Sequence, residues 1–465
     1  MATRRPDTAR WFPALLTGTL VVLVFADVAA ASNVVTGLQD DGGDVTVPTW
    51  LYLVTGGAVV GASGLLSMLV TDRAFIERIH DRSIRLTAGR VRHLVTLGGV
   101  IGVVALCLVV VVGVAGPAFA NANLAVLLVF VVARAGLTTV AYLVGNPWPA
   151  INPWRALAAR LPNGFVDYPT DLGVVPAIAG LLVLIWLEVV VPVTTVPWVL
   201  AVAVLAYSAY TLAGAVVFSP GSWFRYADPL SVWFRFYGAV APIHRTEEAL
   251  ELRPWGARLR EGDVLRDLSG VGFAVLLVWE LTYSGFVVTP PGVRTIELFV
   301  GFGLPPALVY LSILLGGYAL FLAVYWLAAR RARRRAETYL STRYLAFRFA
   351  PPLVAIAAGY HLAHYAGFLL SLSPSLLGAV SNPLSPPLPP QVLVLPGWFG
   401  TLEALFVLLG HLLAIWAAHA ASFDLFSGRL QAIRSQFPFV LVMVLYTMVS
   451  LYLLSLPTQP PPFVA

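Results

Sequence analysis

The chain contains no lysine: all 29 of its Lys+Arg residues are arginine, which reads as GC-rich coding rather than as a demand for guanidinium chemistry. Its single cysteine, Cys107, stands inside an apolar run, so an intrachain disulfide and a CxxC metal site are both excluded. Charge of either sign is scarce, at 11% of 465 residues against 59% hydrophobic. A soluble domain carries about 25% charged residues, and so the chain does not read as soluble. A nucleotide-binding glycine motif, an internal repeat and a long polar stretch are missing as well.

What is present is a succession of apolar runs, each about 20 residues long, the length that crosses a bilayer. Arg4, Arg5 and Arg10 precede the run Trp11 to Ala31, and small residues follow, a pattern that fits either a first span or signal-anchor over 1–31 or a cleavable signal peptide. Further spans are expected at about 49–71, 94–116, 122–144, 171–193, 198–218, 268–289, 305–328, 352–372, 400–421 and 437–456, about eleven in all. The loop from Arg73 to Arg92, the run Arg330 to Arg335, and Arg429 with Arg434 then fall on one side, which the positive-inside rule assigns to the cytoplasm. The loop with Asp40, Asp41 and Asp44 and a proline-rich stretch from Pro374 to Pro390 fall on the other. The expected fold class is therefore all-α: a polytopic transmembrane helix bundle of the cell membrane, with its N-terminus cytoplasmic and its C-terminus outside, in which 32–465 form one domain.

Between spans, the segment 219–267 interleaves Trp223, Phe224, Arg225, Trp233, Phe234, Arg235 and His244. Aromatic and basic residues mixed beside a membrane predict interfacial helices on the inner leaflet. The expected partner is the lipid bilayer, and nucleic acid is not. A doubled Asn-Pro-Trp, at Asn146–Trp148 and Asn152–Trp154, reads as a membrane-exit corner: proline ends a helix, asparagine favours the turn, and tryptophan prefers the interface.

Chemistry is expected where polar groups lie at membrane depth, because burial there is costly and such groups count as functional candidates. Four of the seven histidines fall in two consecutive spans: His361 and His364, which share a helical face, and His411 and His419. The first three sit near the midplane, with His419 about 12 Å nearer the cytoplasm. Imidazole ligates zinc, copper and haem iron. Two versions follow: His361, His364 and His411 hold a transition metal, or one ring from each helix binds a b-type haem. The plainer alternative is that neutral rings only hydrogen-bond neighbouring helices. Arg134, Glu188 and Glu280 are the other buried charges, and the depths of Arg134 and Glu280 differ by about 5 Å, close enough for an ion pair. That pair would fix helix packing or line a proton or anion path. Asp27 and Glu403 lie nearer the outer boundary, within reach of water.

These residues carry a resemblance. Asn146-Pro147-Trp148 with Asn152-Pro153-Trp154-Arg155, Trp186-Leu187-Glu188, Ala241-Pro242 and Tyr360-His361-Leu362-Ala363-His364-Tyr365 resemble a group of prokaryotic membrane proteins labelled fenitrothion-hydrolase-like. Gly410-His411, Ala418-His419, Arg434-Ser435-Gln436 and Met443 through Thr447 extend the likeness over most of the chain after the first span. The family label implies an organophosphate esterase, which would be a metal-dependent hydrolase of lipid-soluble esters. Tyr283-Ser284-Gly285 stands where that family usually has an acidic residue before the glycine. The readings that compete are thus an intramembrane histidine site for a metal or haem, that hydrolase, and a proton- or ion-coupled transporter using Arg134, Glu188 and Glu280.

Overall fold

The computed structural model describes residues 49–464, apart from 81, 88–90, 246–248 and 262–263; the expected first span over 1–31 and Asp27 lie outside the described residues. Helix accounts for 73% of the structure, and the sheet among the described residues is one small three-stranded unit, so the all-α expectation holds. The principal helices in chain order are α1 (Thr49–Ser67), α2 (Val91–Ala115), α3 (Leu124–Leu143), α4 (Val175–Val190), α5 (Pro197–Phe218), α6 (Pro229–Gly238), α7 (Leu268–Val287), α8 (Pro306–Arg335), α9 (Pro352–Ser371), α10 (Phe399–Leu425) and α11 (Arg429–Leu454).

Among the described residues, eight helices are long and apolar enough to cross a membrane: α2, α3, α5, α7, α8, the stretch Thr342–Ser371 that ends in α9, α10 and α11. Two expected spans are shorter, as the apolar stretches Gly56–Ser67 in α1 and Val175–Val190. The stop in α4 has a local cause. Val191 precedes Pro192 and is extended, with φ −104° and ψ 136°, because the proline ring disfavours the helical region for the residue before it.

The bundle is built around α7, which is apolar and 94% buried; a helix hydrophobic on every face belongs in an interior. It runs antiparallel to α8, joined by Trp279 Nε1 to the Leu314 carbonyl at 2.8 Å and Tyr318 Oη to the Gly272 carbonyl at 3.0 Å. Gly317 makes room for that indole, since a Cβ there would lie 2.0 Å from its ring. Helices α9 and α10 cross with their backbones in contact. A Cβ on Gly359 would fall 2.6 Å from the Phe406 carbonyl oxygen and 2.8 Å from Gly410 Cα. Two glycines at one crossing allow this close approach of membrane helices.

The Asn-Pro-Trp corner is structural, as its composition indicates. It forms two short helices, Trp148–Ile151 and Pro153–Ala158, and Asn152 caps the second by accepting from Arg155 N at 3.0 Å. Trp148 Nε1 and Asn152 Nδ2 both reach Ser231 Oγ at 3.2 Å, which ties the corner to α6. Asp228, fully buried, caps α6 through Ser231 N at 2.8 Å and accepts from Thr211 at 2.9 Å. Corner and cap together fix the helix that carries Trp233 and Tyr237.

The segment 219–267 is helical as far as Gly238 and again in a single 3-10 turn, Ala257–Arg260. Beyond Pro242 it forms β2 (Ile243–Arg245) and β3 (Ala249–Leu252), which pair antiparallel with each other and with β1 (Ile84–Thr87) in the order β1-β3-β2. The expectation of interfacial helices fails here because the pairing partner, β1, comes from a loop about 160 residues earlier. Glu251 takes Arg85 across the sheet at 3.4 Å and Arg253, two residues along its own segment, at 3.0 Å. The proline-rich stretch begins in a helix, Ser373–Ser381.

Candidate functional site

Helix α3 changes its winding along its length. Leu124–Val126 and Thr138–Leu143 are α-helical, but Leu127–Leu137 is wound as a π-helix. Such wide turns are rare and concentrate at functional sites. Gly136 suits the altered winding, since a Cβ there would sit 3.3 Å from the Val131 carbonyl oxygen. Arg134 occupies the last turn of this segment.

Four helices meet on the Arg134 guanidinium. Nη2 donates to Glu280 Oε1 of α7 in a short charge-assisted bond. Nε donates to Tyr365 Oη of α9 at 2.7 Å and lies 3.3 Å from Glu188 Oε1 of α4. The group also lies over the rings of Trp233 and Tyr365, at 5.8 and 5.3 Å from their centroids. A planar, delocalised cation with several donors suits this shared role, and an ammonium would not. Access is graded: the Arg134 and Glu188 side chains are each 16% exposed, whereas Glu280 is at 0%.

His361 grips the backbone of the same arginine. Its Nε2 lies 3.1 Å from the Arg134 carbonyl oxygen and its Nδ1 3.1 Å from Tyr142 Oη. A neutral ring protonated on Nε2 satisfies both contacts, with Tyr142 donating; Tyr142 is in turn 3.0 Å from Thr139 Oγ1. The imidazole stacks on Tyr365 at 4.5 Å and meets Tyr142 and Tyr237 at 5.6 Å. Three enclosed polar atoms around this centre have no hydrogen-bond partner among the described residues: Glu280 Oε2, Tyr237 Oη and His364 Nδ1.

One guanidinium therefore faces two carboxylates. With both ionised the triad carries a charge of −1; one proton on either carboxylate makes it neutral. Uncompensated charge is costly at membrane depth, so the arrangement couples a proton to its own electrostatic balance.

The other histidines lie apart from this centre. His411 is fully buried, with Nδ1 2.8 Å from the Val407 carbonyl one turn earlier and Nε2 enclosed without a partner. His419 uses both nitrogens, Nε2 to the Val70 carbonyl at 2.7 Å and Nδ1 to the Gln436 amide at 3.2 Å; it joins α10 to α11 and to the end of the α1 segment. Among the described residues, no group of three or more His, Cys, Asp or Glu is placed to hold a metal ion. The expected meeting of His361, His364 and His411 does not occur, because the glycine crossing sends the first pair towards α3 while His411 bonds to its own helix. Glu403 is 5% exposed rather than open to water, and its Oε1 sits 3.0 Å from where a Cβ on Gly367 would be.

Arg134, Glu188 and Glu280 thus come together as one triad, and His361 and His364 join it. Sequence reasoning missed Tyr142, Trp233 and Tyr237. The last two stand four residues apart on one face of α6, a spacing that was legible but was absorbed into the interfacial reading. No protein-family model matches the chain, and no curated protein or solved structure is similar to it. Fold and site define a class nonetheless: a multipass helical membrane protein with a charged triad buried at membrane depth.

Proposed function

We propose that the protein handles protons within the membrane at Arg134, Glu188 and Glu280, as a proton-coupled transporter. The observation that carries this reading is the sharing of one guanidinium by two carboxylates from different helices, one partly exposed and the other enclosed with a free oxygen. Protonation of Glu188 releases the guanidinium to Glu280 alone, and protonation of Glu280 releases it to Glu188, so a proton on either carboxylate is coupled to the guanidinium's choice of partner; Tyr237, His361 and His364 extend the polar surroundings inward. The π-wound stretch of α3 that carries Arg134 supports the reading, since such turns concentrate at functional sites. The arginine-rich ends face the cytoplasm of a cell membrane in this arrangement.

The test is proton flux into proteoliposomes bearing an internal pH dye, driven by a potential. Wild-type protein should conduct, and Glu280→Gln and Glu188→Gln should each lose at least about tenfold, or about 1.4 kcal/mol of barrier. Wild-type vesicles no leakier than empty ones would overturn it.

A second reading rests on His411. Its Nδ1–H is held by a carbonyl and its Nε2 is enclosed and bare, the orientation of a ring that gives one axial bond to haem iron or a transition metal such as zinc or copper. A Soret band or stoichiometric metal in purified protein, lost in His411→Ala, would support it. Membership of the fenitrothion-hydrolase-like family is proposed on the sequence motifs alone. Trp186–Glu188 contributes Glu188 to the triad, and Tyr360–Tyr365 contributes His361 and Tyr365, which contact Arg134.

A further inference from the structure

Away from the triad, three arginines gather at the end of the bundle where α7 begins. Arg225 belongs to the π-turn Trp223–Ala227, Arg235 to α6, and Arg266 to the segment just before α7. They surround Tyr226. Cζ of Arg225 is 5.5 Å and Cζ of Arg266 5.9 Å from the centroid of that ring, which itself stacks on Tyr168 at 5.3 Å. Arg235 reaches the same place by donating from Nη1 to the Arg225 main-chain carbonyl. Its Nε is enclosed and has no partner.

The surroundings make this grouping unusual. Two arginines of the segment before α7 are matched by carboxylates: Arg253 by Glu251 and Glu261, and Arg260 by Asp424 at 2.5 and 2.7 Å. The carboxylate nearest the three, Asp267, is committed to capping α7 through Gly270 N at 3.1 Å and to Ser269. Burial first, and the charge of Arg225 second, hold the Arg235 guanidinium down at about 10. Asp267 offsets part of the charge at Arg235, but three guanidinium groups share that one carboxylate; like charges so collected repel, most of all where water is excluded, and a fork of guanidinium donors matches phosphate oxygens bidentately. Because α7 and α8 run antiparallel, the cluster shares its end of the bundle with Arg330 to Arg335 of α8. Leu268, two residues beyond Arg266, is 40% exposed and offers an apolar flank.

We propose that Arg225, Arg235 and Arg266 form a binding site for a phosphate group, presented by the headgroup of an anionic lipid or as free phosphate. The enclosed Nε of Arg235 supplies the inner donor, and Arg225 and Arg266, stacked on Tyr226, close on the phosphate from the exposed side.

The experiment titrates delipidated full-length protein with dioctanoyl phosphatidylglycerol, dioctanoyl phosphatidylcholine or inorganic phosphate, and counts bound molecules by native mass spectrometry. Phosphatidylglycerol should bind at least tenfold more tightly than phosphatidylcholine. Arg235→Gln and Arg266→Gln should each remove most of that preference, while Arg334→Gln, at the far end of α8, should keep it. Arg266 is exposed, so its variant does not endanger folding; Arg235→Lys, which keeps the charge and loses the fork, should fall between. Inorganic phosphate that binds with the same dependence on Arg235 and Arg266 supports the site and identifies free phosphate as the ligand. Phosphatidylglycerol binding that phosphate does not displace supports the lipid headgroup. Equal binding of the two lipids, or a preference unchanged in both glutamine variants, overturns the proposal.

Discussion

His361 Nε2 lies 3.1 Å from the main-chain oxygen of Arg134, so the histidine holds the backbone of the residue whose side chain two carboxylates hold. Backbone and guanidinium of one π-helical turn are thereby anchored by α9, α4 and α7 at once. The orientation of Arg134 depends on all of these contacts.

Removing the guanidinium should leave two buried carboxylates without their cation. Arg134→Ala is expected to destabilise the protein by about 3 kcal/mol or more, read by thermal unfolding in detergent. Adding Glu280→Gln should recover part of the loss. A strictly additive double variant would show that the two residues do not act as a pair.

His361 and His411, both fully buried, should respond differently to replacement. His361→Leu removes one partner from Tyr142 Oη, which keeps Thr139 Oγ1, and the ring donor from the part-buried Arg134 carbonyl, at a cost of about 2 kcal/mol for the two contacts. His411→Leu removes only a bond to a carbonyl of its own helix and should cost less than about 1 kcal/mol. Melting temperatures of the two variants check this, and a larger loss for His411 would contradict the assigned contacts.

His244, in β2 opposite Glu251, gives a pH dependence outside the spans. Burial, and then the charge of Arg258, push its imidazole down to about 4, below an unfolded value of about 6.5. Above the unfolded value both states are neutral there and the contribution is constant. As pH falls from about 6.5 towards 4 the unfolded chain takes a proton that the folded one refuses, so stability is lost progressively, by up to about 3 kcal/mol. Thermal unfolding across that window should show the slope, and His244→Asn should flatten it.

Orientation is open to direct labelling. In a Cys107→Ser background, a membrane-impermeant thiol reagent added outside intact cells should label Ser381→Cys and miss Arg334→Cys, both exposed positions. The opposite pattern would invert the assignment of the arginine-rich ends to the cytoplasm.

The amino-acid sequence alone carried the helical class and the polar residues at membrane depth, because length and apolarity of a run act locally and each run reports for itself. Arg134 and Glu280 could be matched in depth by counting rise along helices, and they do pair. Counting along a helix says nothing about rotation around it, so the expected meeting of His361, His364 and His411 could not be tested that way. Rotation and neighbours were decided by tertiary packing: the Gly359–Gly410 crossing, the π-winding that turns Arg134 inward, and the corner that sets α6 with Trp233 and Tyr237 against His361. The small sheet was likewise beyond local signals, since β1 and β3 are far apart in the chain and neither is a strand until they meet.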